Sequence, residues 1–374
     1  MANINLQNAK TAKNDEFYTQ YADIQKEMNA YIEYDPDVFR GKTVLLPCDD
    51  PEWSNFTKFF AQNFEAYGMK KLISTSYAVE SKRIKEWEPT LFETESPYYD
   101  ADKSRTNGKI FMLDQDINGD GRFNINDLHW SYLKGDGDFR SDEVKALRDE
   151  ADIIITNPPF SLFREFMAWV MESGKQFVCI GSMNAISYKE IFPLIKDNKM
   201  WLGNGFSAGN AYFGIPKTST REYVDGVYDA TTNLVKFRNC CWFTNIDHGR
   251  RHEPLPLMTM EDNIIYSKHK EIRGNGYIHY DNYDAIDIPF TDAIPIDYDG
   301  VMGVPITFLD KYCPEQFEII GHPHGDYGLE LGLKPFPREL KKLNKSLRDG
   351  QPYYLDDQGI PQKPFGRIII CKKR

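Results

Sequence analysis

The stretch "ADIIITNPPFSLF" (Ala151 to Phe163) constrains the fold more than any other part of the chain. Ile153, Ile154, Ile155 and Thr156 form an apolar, β-branched run without polar alternation, the pattern of a strand covered on both faces. Two prolines follow Asn157 at once. They remove two backbone donors, hold φ near −65° and push the preceding residue into extended geometry, so the strand must stop at Asn157. An amphipathic helix pattern then starts within three residues, in "LFREFMAWVMESG", and Gly174 closes it.

The same alternation recurs along the chain. "KTVLLPCDD" (Lys42 to Asp50) reads as a buried strand, and "SNFTKFFAQNFEAYG" (Ser54 to Gly68) as a helix with Phe56, Phe59, Phe60 and Phe64 on one side and a glycine stop. "KKLISTSY" (Lys70 to Tyr77), "ADIIIT" and "KQFVCIGS" are further strands, and "SDEVKALRDE" is a helix capped by Ser141. Strands alternating with helices predict an α/β protein with a doubly wound parallel sheet. "MWLGNGF" and "KFRNCCWFTNI" (Lys236 to Ile246) predict a closing strand pair, since no helix pattern separates them. Beyond residues 247 to 256 the alternation is lost and proline and aspartate increase, so a domain boundary is expected there.

Composition narrows the class. A chain of 374 residues with 41% hydrophobic side chains can bury a large core. No run approaches the roughly 18 apolar residues of a membrane span, and "MANINLQNAKTAKNDEFYTQ" has no basic and apolar leader pattern, so a cytoplasmic protein without a membrane partner is expected. The six cysteines show no CxxC spacing, which argues against a zinc site. A net charge of −11 argues against nucleic acid, because phosphate binding relies on Lys and Arg.

The chemistry at Asn157 points the other way. In an open parallel sheet, ligands bind at the carboxyl ends of the strands, where Asn157 is placed. An amide oxygen, a carbonyl held by rigid prolines and an aromatic face suit a planar amino group on a heteroaromatic ring. The Asn157 oxygen and the Pro158 carbonyl each accept one amino hydrogen, and Phe160 stacks on the ring. Such acceptors favour the nitrogen as it becomes tetrahedral, so they stabilise its attacking state over its ground state. A lone NPPF is equally a strand-ending turn, and its neighbours decide between the two readings.

Those neighbours resemble a known family, the EcoRI-type N6-adenine-specific DNA methyltransferases, or modification methylases. Asn157, Pro158, Pro159 and Phe160 match the family's catalytic motif. "NDEFYT" (Asn14 to Thr19) is similar to the segment that closes over the methionine end of S-adenosylmethionine, which implies Phe17, Tyr18 and Thr19. "GDFRS" (Gly137 to Ser141) is similar to the loop that reads the cofactor's adenine, which implies Asp138 with Phe139 beside the ring. The resemblance continues into "IPIDYDGVMGVPITFLDKY" (Ile294 to Tyr312). It implies a Rossmann-like, S-adenosylmethionine-dependent fold over residues 1–250, a C-terminal target-recognition region over 251–374, and duplex DNA as substrate.

The chain departs from the common pattern at two points. The segment after the first strand, "LLPCDDPEWSNF", lacks the usual glycines, and Pro47, Cys48 and Asp49 are expected to line the cofactor pocket, with Asp49 accepting from the cofactor's ammonium. Asp49 and Asp50 suit a helix cap equally well. The acidic residue that commonly holds the ribose is missing from "STSYAVES", leaving Ser76 or Tyr77 to replace it.

Two further features stand outside the catalytic motifs. Within an insertion expected at about residues 97–135, Asp116, Asn118, Asp120, Asn124 and Asp127 occupy positions 1, 3, 5, 9 and 12 of an EF-hand-like loop, with Arg122 offering its carbonyl and Gly121 at the turn. A structural calcium ion is expected there, although an Asn/Asp/Gly-rich surface turn has the same composition. "HGRRH" (His248 to His252) and "RELKKLNKSLRDG" (Arg338 to Gly350) concentrate positive charge, and Arg250, Arg251, Lys341 and Lys342 are expected on phosphates despite the negative total. A monomer completes the expectation, either with a cognate restriction endonuclease as partner or as an orphan modification methylase. The alternatives are a methyltransferase acting on RNA adenine or on protein glutamine, and a non-catalytic nucleic-acid-binding module of a restriction system.

Overall fold

The computed structural model describes residues 17–48, 52, 54–78, 89, 91–206, 210–215, 223 and 225–373. The chain divides into two compact units, one of Met1–Ile191 with Met200–His248, the other of Phe192–Lys199 with Gly249–Arg374. The boundary at 248 and 249 falls in the stretch where the sequence alternation ends, and residues 192–199 join the second unit. Among the described residues no helix is long and apolar enough to cross a membrane.

The first unit is built on β1 (Tyr18–Thr19), α1 (Tyr21–Tyr34), β2 (Thr43–Leu46), α2 (Asn55–Gln62), β3 (Lys71–Thr75), β4 (Lys109–Leu113), β5 (His129–Tyr132), α3 (Asp142–Glu150), β6 (Ile153–Thr156), α4 (Phe163–Ser173), β7 (Gln176–Ser182), β8 (Trp201–Leu202), β9 (Ala211–Gly214), β10 (Tyr228–Asp229), β11 (Leu234–Phe237) and β12 (Cys240–Thr244). Its main sheet has the order β5-β4-β3-β2-β6-β7-β12-β8. The strands β3, β2, β6 and β7 are parallel, as the alternation predicts. The edges differ from that expectation. A β4–β5 hairpin adds antiparallel to β3, and β12 adds antiparallel to β7, so the sheet is mixed. No crossover helix separates β4 from β5, and without one consecutive strands pair antiparallel.

Local signals set the helix ends. Ser54 accepts from the Phe56 amide at 3.0 Å and caps α2, Ser141 accepts from Val144 at 3.3 Å and caps α3, and Gly174 ends α4 with φ of 65°. The helix expected over Ser54 to Gly68 stops earlier, at Gln62, and Phe64 continues the apolar face from the turn that follows. Phe56, Phe59 and Phe60 pack with Val44, Leu46, Ile153, Ile155, Val178, Ile180 and Trp242 in one core.

A second, four-stranded antiparallel sheet, β1-β9-β11-β10, corrects the reading of Lys236 to Ile246 as one strand. Lys236 and Phe237 end β11 in this small sheet, and Cys240 begins β12 in the large one. "MWLGNGF" contributes only Trp201–Leu202, paired with β12.

The second unit is organised by a five-stranded sheet of β13 (Ile278–His279), β14 (Ile286–Asp287), β15 (Met302–Pro305), β16 (Phe317–Gly321) and the C-terminal strand (Arg367–Lys372), in the order β13-β14-β15-C-terminal strand-β16. Arg367 donates to Asp287 through Nε at 2.8 Å and Nη2 at 3.1 Å, clamping two strands that are not neighbours in this order. Tyr280 donates its hydroxyl to the same carboxylate.

Candidate active site

β6 ends at Thr156, and its hydroxyl donates to the Pro47 carbonyl at the end of the neighbouring β2. The two adjacent strand ends are thereby held together. Asn157 comes next. Its Nδ2 donates to the Phe17 carbonyl at 2.6 Å, 140 residues away in sequence. With the amide's donor committed, its oxygen is the group left to accept. Asn157 Oδ1 is buried and has no hydrogen-bond partner among the described residues. A buried acceptor left this way costs about 1–3 kcal/mol, and it is the atom expected to take an amino hydrogen of the substrate.

Aromatic rings gather beside it. Phe160 begins a short 3₁₀ turn, Phe160–Leu162, that leads into α4. Its ring stacks on Phe17 at 6.1 Å and meets the rings of Phe213 and Phe237 edge-on at 6.4 and 5.9 Å. The small sheet supplies these partners: β1 pairs with β9, which carries Phe213, and β9 with β11, which carries Phe237. Sequence reasoning linked "FYT" to "NPPF" by motif, but it missed Phe213 and Phe237, whose only signal is their place in short alternating strands.

Residues expected on the cofactor side lie along the same strand ends. Thr19 is buried, and its Oγ1 has no partner among the described residues; the same holds for Thr75 Oγ1 at the end of β3. Cys48, in the turn after β2, adopts φ of 64°. That left-handed conformation favours glycine, so Cys48 makes the turn in a segment where the sequence lacks the usual glycines. Asp49 lies outside the described residues. Orphaned hydroxyls at Thr19 and Thr75, in a site with a left-handed turn at Cys48, fit a polar ligand such as S-adenosylmethionine.

The "GDFRS" loop is shaped by close backbone approach. Gly137 has φ of 81°, and a Cβ there would lie 2.1 Å from the Ser76 carbonyl oxygen, so no other residue fits without movement. Asp138 follows, and each of its oxygens accepts two hydrogen bonds. Oδ1 takes the Arg140 amide at 2.9 Å and Arg140 Nε at 2.8 Å, while Oδ2 takes Arg140 Nη2 at 2.6 Å and the Tyr77 hydroxyl at 3.0 Å. Burial raises the Asp138 pKa, but these donors outweigh it and hold the carboxyl below its ordinary value. Burial, with the neighbouring Asp138 charge added, pushes the Tyr77 phenol up. Phe139 lies under the Arg140 guanidinium, whose carbon is 5.4 Å from the ring centroid. It is 3% exposed and packs edge-on against Phe166 and Trp169 of α4 at 5.4 and 5.7 Å, which is core packing.

The remaining site expectations separate in space. The EF-hand-like loop joins β4 to β5, and its oxygens are engaged with backbone amides. Asp127 accepts from Ile117, Asn118 and Asn124, Asp116 from Gly119 and Gly121, Asn118 from Asp120, Asp120 from Arg122, and Asn124 from Asn126. Among the described residues no group of three or more His, Cys, Asp or Glu is arranged to hold a metal ion. In the second unit, Arg250 donates to Asp310 at 2.6 Å and Arg251 to Asn198 at 3.1 Å. Lys341 and Lys342 are exposed on a short helix, Arg338–Leu343, with Lys341 donating to Asp349 at 3.1 Å.

The mixed α/β sheet, with its polar groups gathered at the strand ends, fits the S-adenosylmethionine-dependent methyltransferase fold. The comparisons with known proteins narrow the class. The model of the family described as adenine-specific methyltransferase EcoRI matches residues 5–373. Among curated proteins, the chain is 41% identical to the type II methyltransferase M.EcoRI of Escherichia coli over 349 residues, covering 92% of this chain and 97% of that protein. It is 34% identical to the type II methyltransferase M.MpnI of Mycoplasma pneumoniae, covering 83% of each. No solved structure matches the chain. The chain belongs to the EcoRI family of adenine-specific methyltransferases and is a DNA adenine methyltransferase.

Proposed function

We propose that the chain methylates the N6 amino group of an adenine flipped out of a specific duplex sequence, as the modification half of a restriction–modification pair. The observation that carries this reading is Asn157. Its nitrogen is fixed on Phe17 and its oxygen is buried without a partner, an acceptor held ready for a donor the chain does not supply.

S-adenosylmethionine, when bound, supplies an electrophilic methyl group on a sulfonium. Thr19, Pro47, Cys48 and Asp49 would hold its amino-acid end. Tyr77 and the Gly137–Ser141 loop would hold its nucleoside end. Asn157 Oδ1 and the Pro158 carbonyl accept the two amino hydrogens of the adenine and favour a tetrahedral nitrogen. With both amino hydrogens held in this way, the nitrogen would present its lone pair to that methyl group, and the proton it then loses would pass to water. Phe160 offers its face to the extruded base, with Phe17, Phe213 and Phe237 bracing the ring. Extrusion is required because the amino group cannot be reached inside a duplex.

The second unit is assigned to target recognition, with Arg250, Arg251, Lys341 and Lys342 on phosphates. A cytoplasmic monomer, with a nuclease that cuts the unmodified sequence, completes the proposal. Asn157→Ala tests its centre: tritium transfer to DNA should disappear while S-adenosylmethionine binding by calorimetry persists. Transfer within tenfold of the native rate would refute the assignment.

A structural calcium ion in the Asp116–Asp127 loop is proposed separately, on the spacing of its oxygen ligands and the turns they form with the loop amides. Calorimetry with calcium tests it: binding heat with a rise in Tm supports the ion, and no heat leaves a loop closed by its own amides.

A further inference from the structure

We propose that Arg140 is a positioning residue that ties the Gly137–Ser141 loop to α4, so that cofactor occupancy and the geometry of the Asn157–Phe160 turn are coupled. The inference rests on the proposed reading that the loop and the turn are the two sides of one methyl-transfer site.

A guanidinium presents its donors in one rigid plane, so its edges can engage different partners at once. Arg140 uses both. Nε and Nη2 engage Asp138 at 2.8 and 2.6 Å, and Nη1 donates to Glu165 at 2.9 Å. Glu165 lies in the first turn of α4, five positions after Phe160 in sequence. A carboxylate there is favoured by the helix N-terminus and tends to stay where Arg140 finds it. On the far side, Tyr77 holds Asp138 at 3.0 Å just beyond the end of β3. Side chains therefore run without a break from the cofactor edge of the sheet, through Asp138 and Arg140, to the helix that continues from the catalytic turn.

Folding stability does not account for the last contact. The Arg140 and Glu165 side chains are 47% and 42% exposed, and ion pairs this open contribute little to stability. Little is needed for coupling, since a small energy that depends on loop position changes the second binding event severalfold. A cofactor held by the loop would fix Asp138 and Arg140, and Arg140 would fix Glu165 at the start of α4. Lysine could not replace it, because a single ammonium cannot hold both carboxylates in fixed relative orientation.

The test measures the affinity for a plasmid that the native enzyme methylates, with and without S-adenosylhomocysteine. For the native protein the ratio of the two dissociation constants should be at least about fivefold, the lower end of ordinary coupling. Glu165→Gln and Arg140→Lys, both at partly exposed positions, should reduce the ratio to below about twofold. Glu165→Gln should leave the affinity for S-adenosylhomocysteine alone within about twofold, because the Asp138 clamp survives. A native ratio near one, or variants that keep the native ratio, would overturn the coupling. A native protein that fails to bind S-adenosylhomocysteine would instead overturn the reading of the site itself.

Discussion

Asn157 and Asp138, both assigned to the proposed site, use their oxygens in opposite ways. Asn157 keeps one buried oxygen without a partner, while both Asp138 oxygens are filled from within the chain. An unfilled buried acceptor destabilises the fold and is tolerated where a substrate completes it. A filled carboxylate holds other groups in place. The acidic residue expected to read the cofactor's adenine is thus bound first to Arg140 and Tyr77.

The contrast can be broken most directly at Asn157. Asn157→Ala should lower methyl transfer by at least about 100-fold, the scale of removing one preorganised partner of a developing charge. Tm should fall only slightly, because the substitution removes an unsatisfied group along with the Phe17 contact. A loss of Tm comparable to the loss of activity would make Asn157 a structural residue.

Phe160→Ala should come next, at about tenfold to 100-fold in KM for duplex DNA, the cost of one lost base–aromatic stack. The effect should shrink when the target adenine is already unpaired, since extrusion then costs less. An equal loss on paired and unpaired substrates would place Phe160 in packing against Phe17 rather than on the base.

A third measurement titrates Asp138. Its folded pKa lies below the ordinary value of about 3.9, so its stabilisation is present above that value and lost as pH falls through the folded pKa. Asp138→Asn should therefore lower Tm at neutral pH, and the difference from the native protein should close as the pH is taken below about 4. A difference that does not shrink at all as the pH falls below about 4 would mean that the charge is not what holds Arg140.

The smallest expected effect concerns DNA binding by the second unit. Replacing Lys341 and Lys342 with Gln should flatten the salt dependence of binding by about one to two phosphate contacts. Replacing Arg250 and Arg251 should change it less, because both are half-buried against partners, Asp310 and Asn198, whereas Lys341 and Lys342 are exposed, with Lys341 reaching Asp349. Equal changes would show that these partners release the arginines to phosphate.

Much of this protein is legible in sequence because its signals are local. The run of isoleucines stopped by Asn157 and two prolines specifies a strand, a turn and a helix without reference to the rest of the chain. Ser54, Ser141 and Gly174 mark helix ends through bonds and dihedral angles that span a few residues. Resemblance to the family's motifs implies that Asn157 and Phe17 share one site, and the Asn157–Phe17 hydrogen bond brings them together. What local pattern cannot decide is pairing. Lys236 to Ile246 has the apolar character of one strand, yet it divides between two sheets, Lys236 and Phe237 pairing with β9 and Cys240–Thr244 with β7. The contact from Asn157 to Phe17 spans 140 residues, and Phe213 and Phe237 reach Phe160 from a small sheet whose strands are far apart in sequence, from Tyr18–Thr19 to Leu234–Phe237. Nor could periodicity show that Arg140 would fill Asp138 and reach Glu165, since one guanidinium's choice of partners depends on where two loops and a helix end in space. Element type follows from residues close in sequence; the free acceptor at Asn157 and the filled one at Asp138 were decided by tertiary contacts, which alone determine whether a buried polar atom meets a partner.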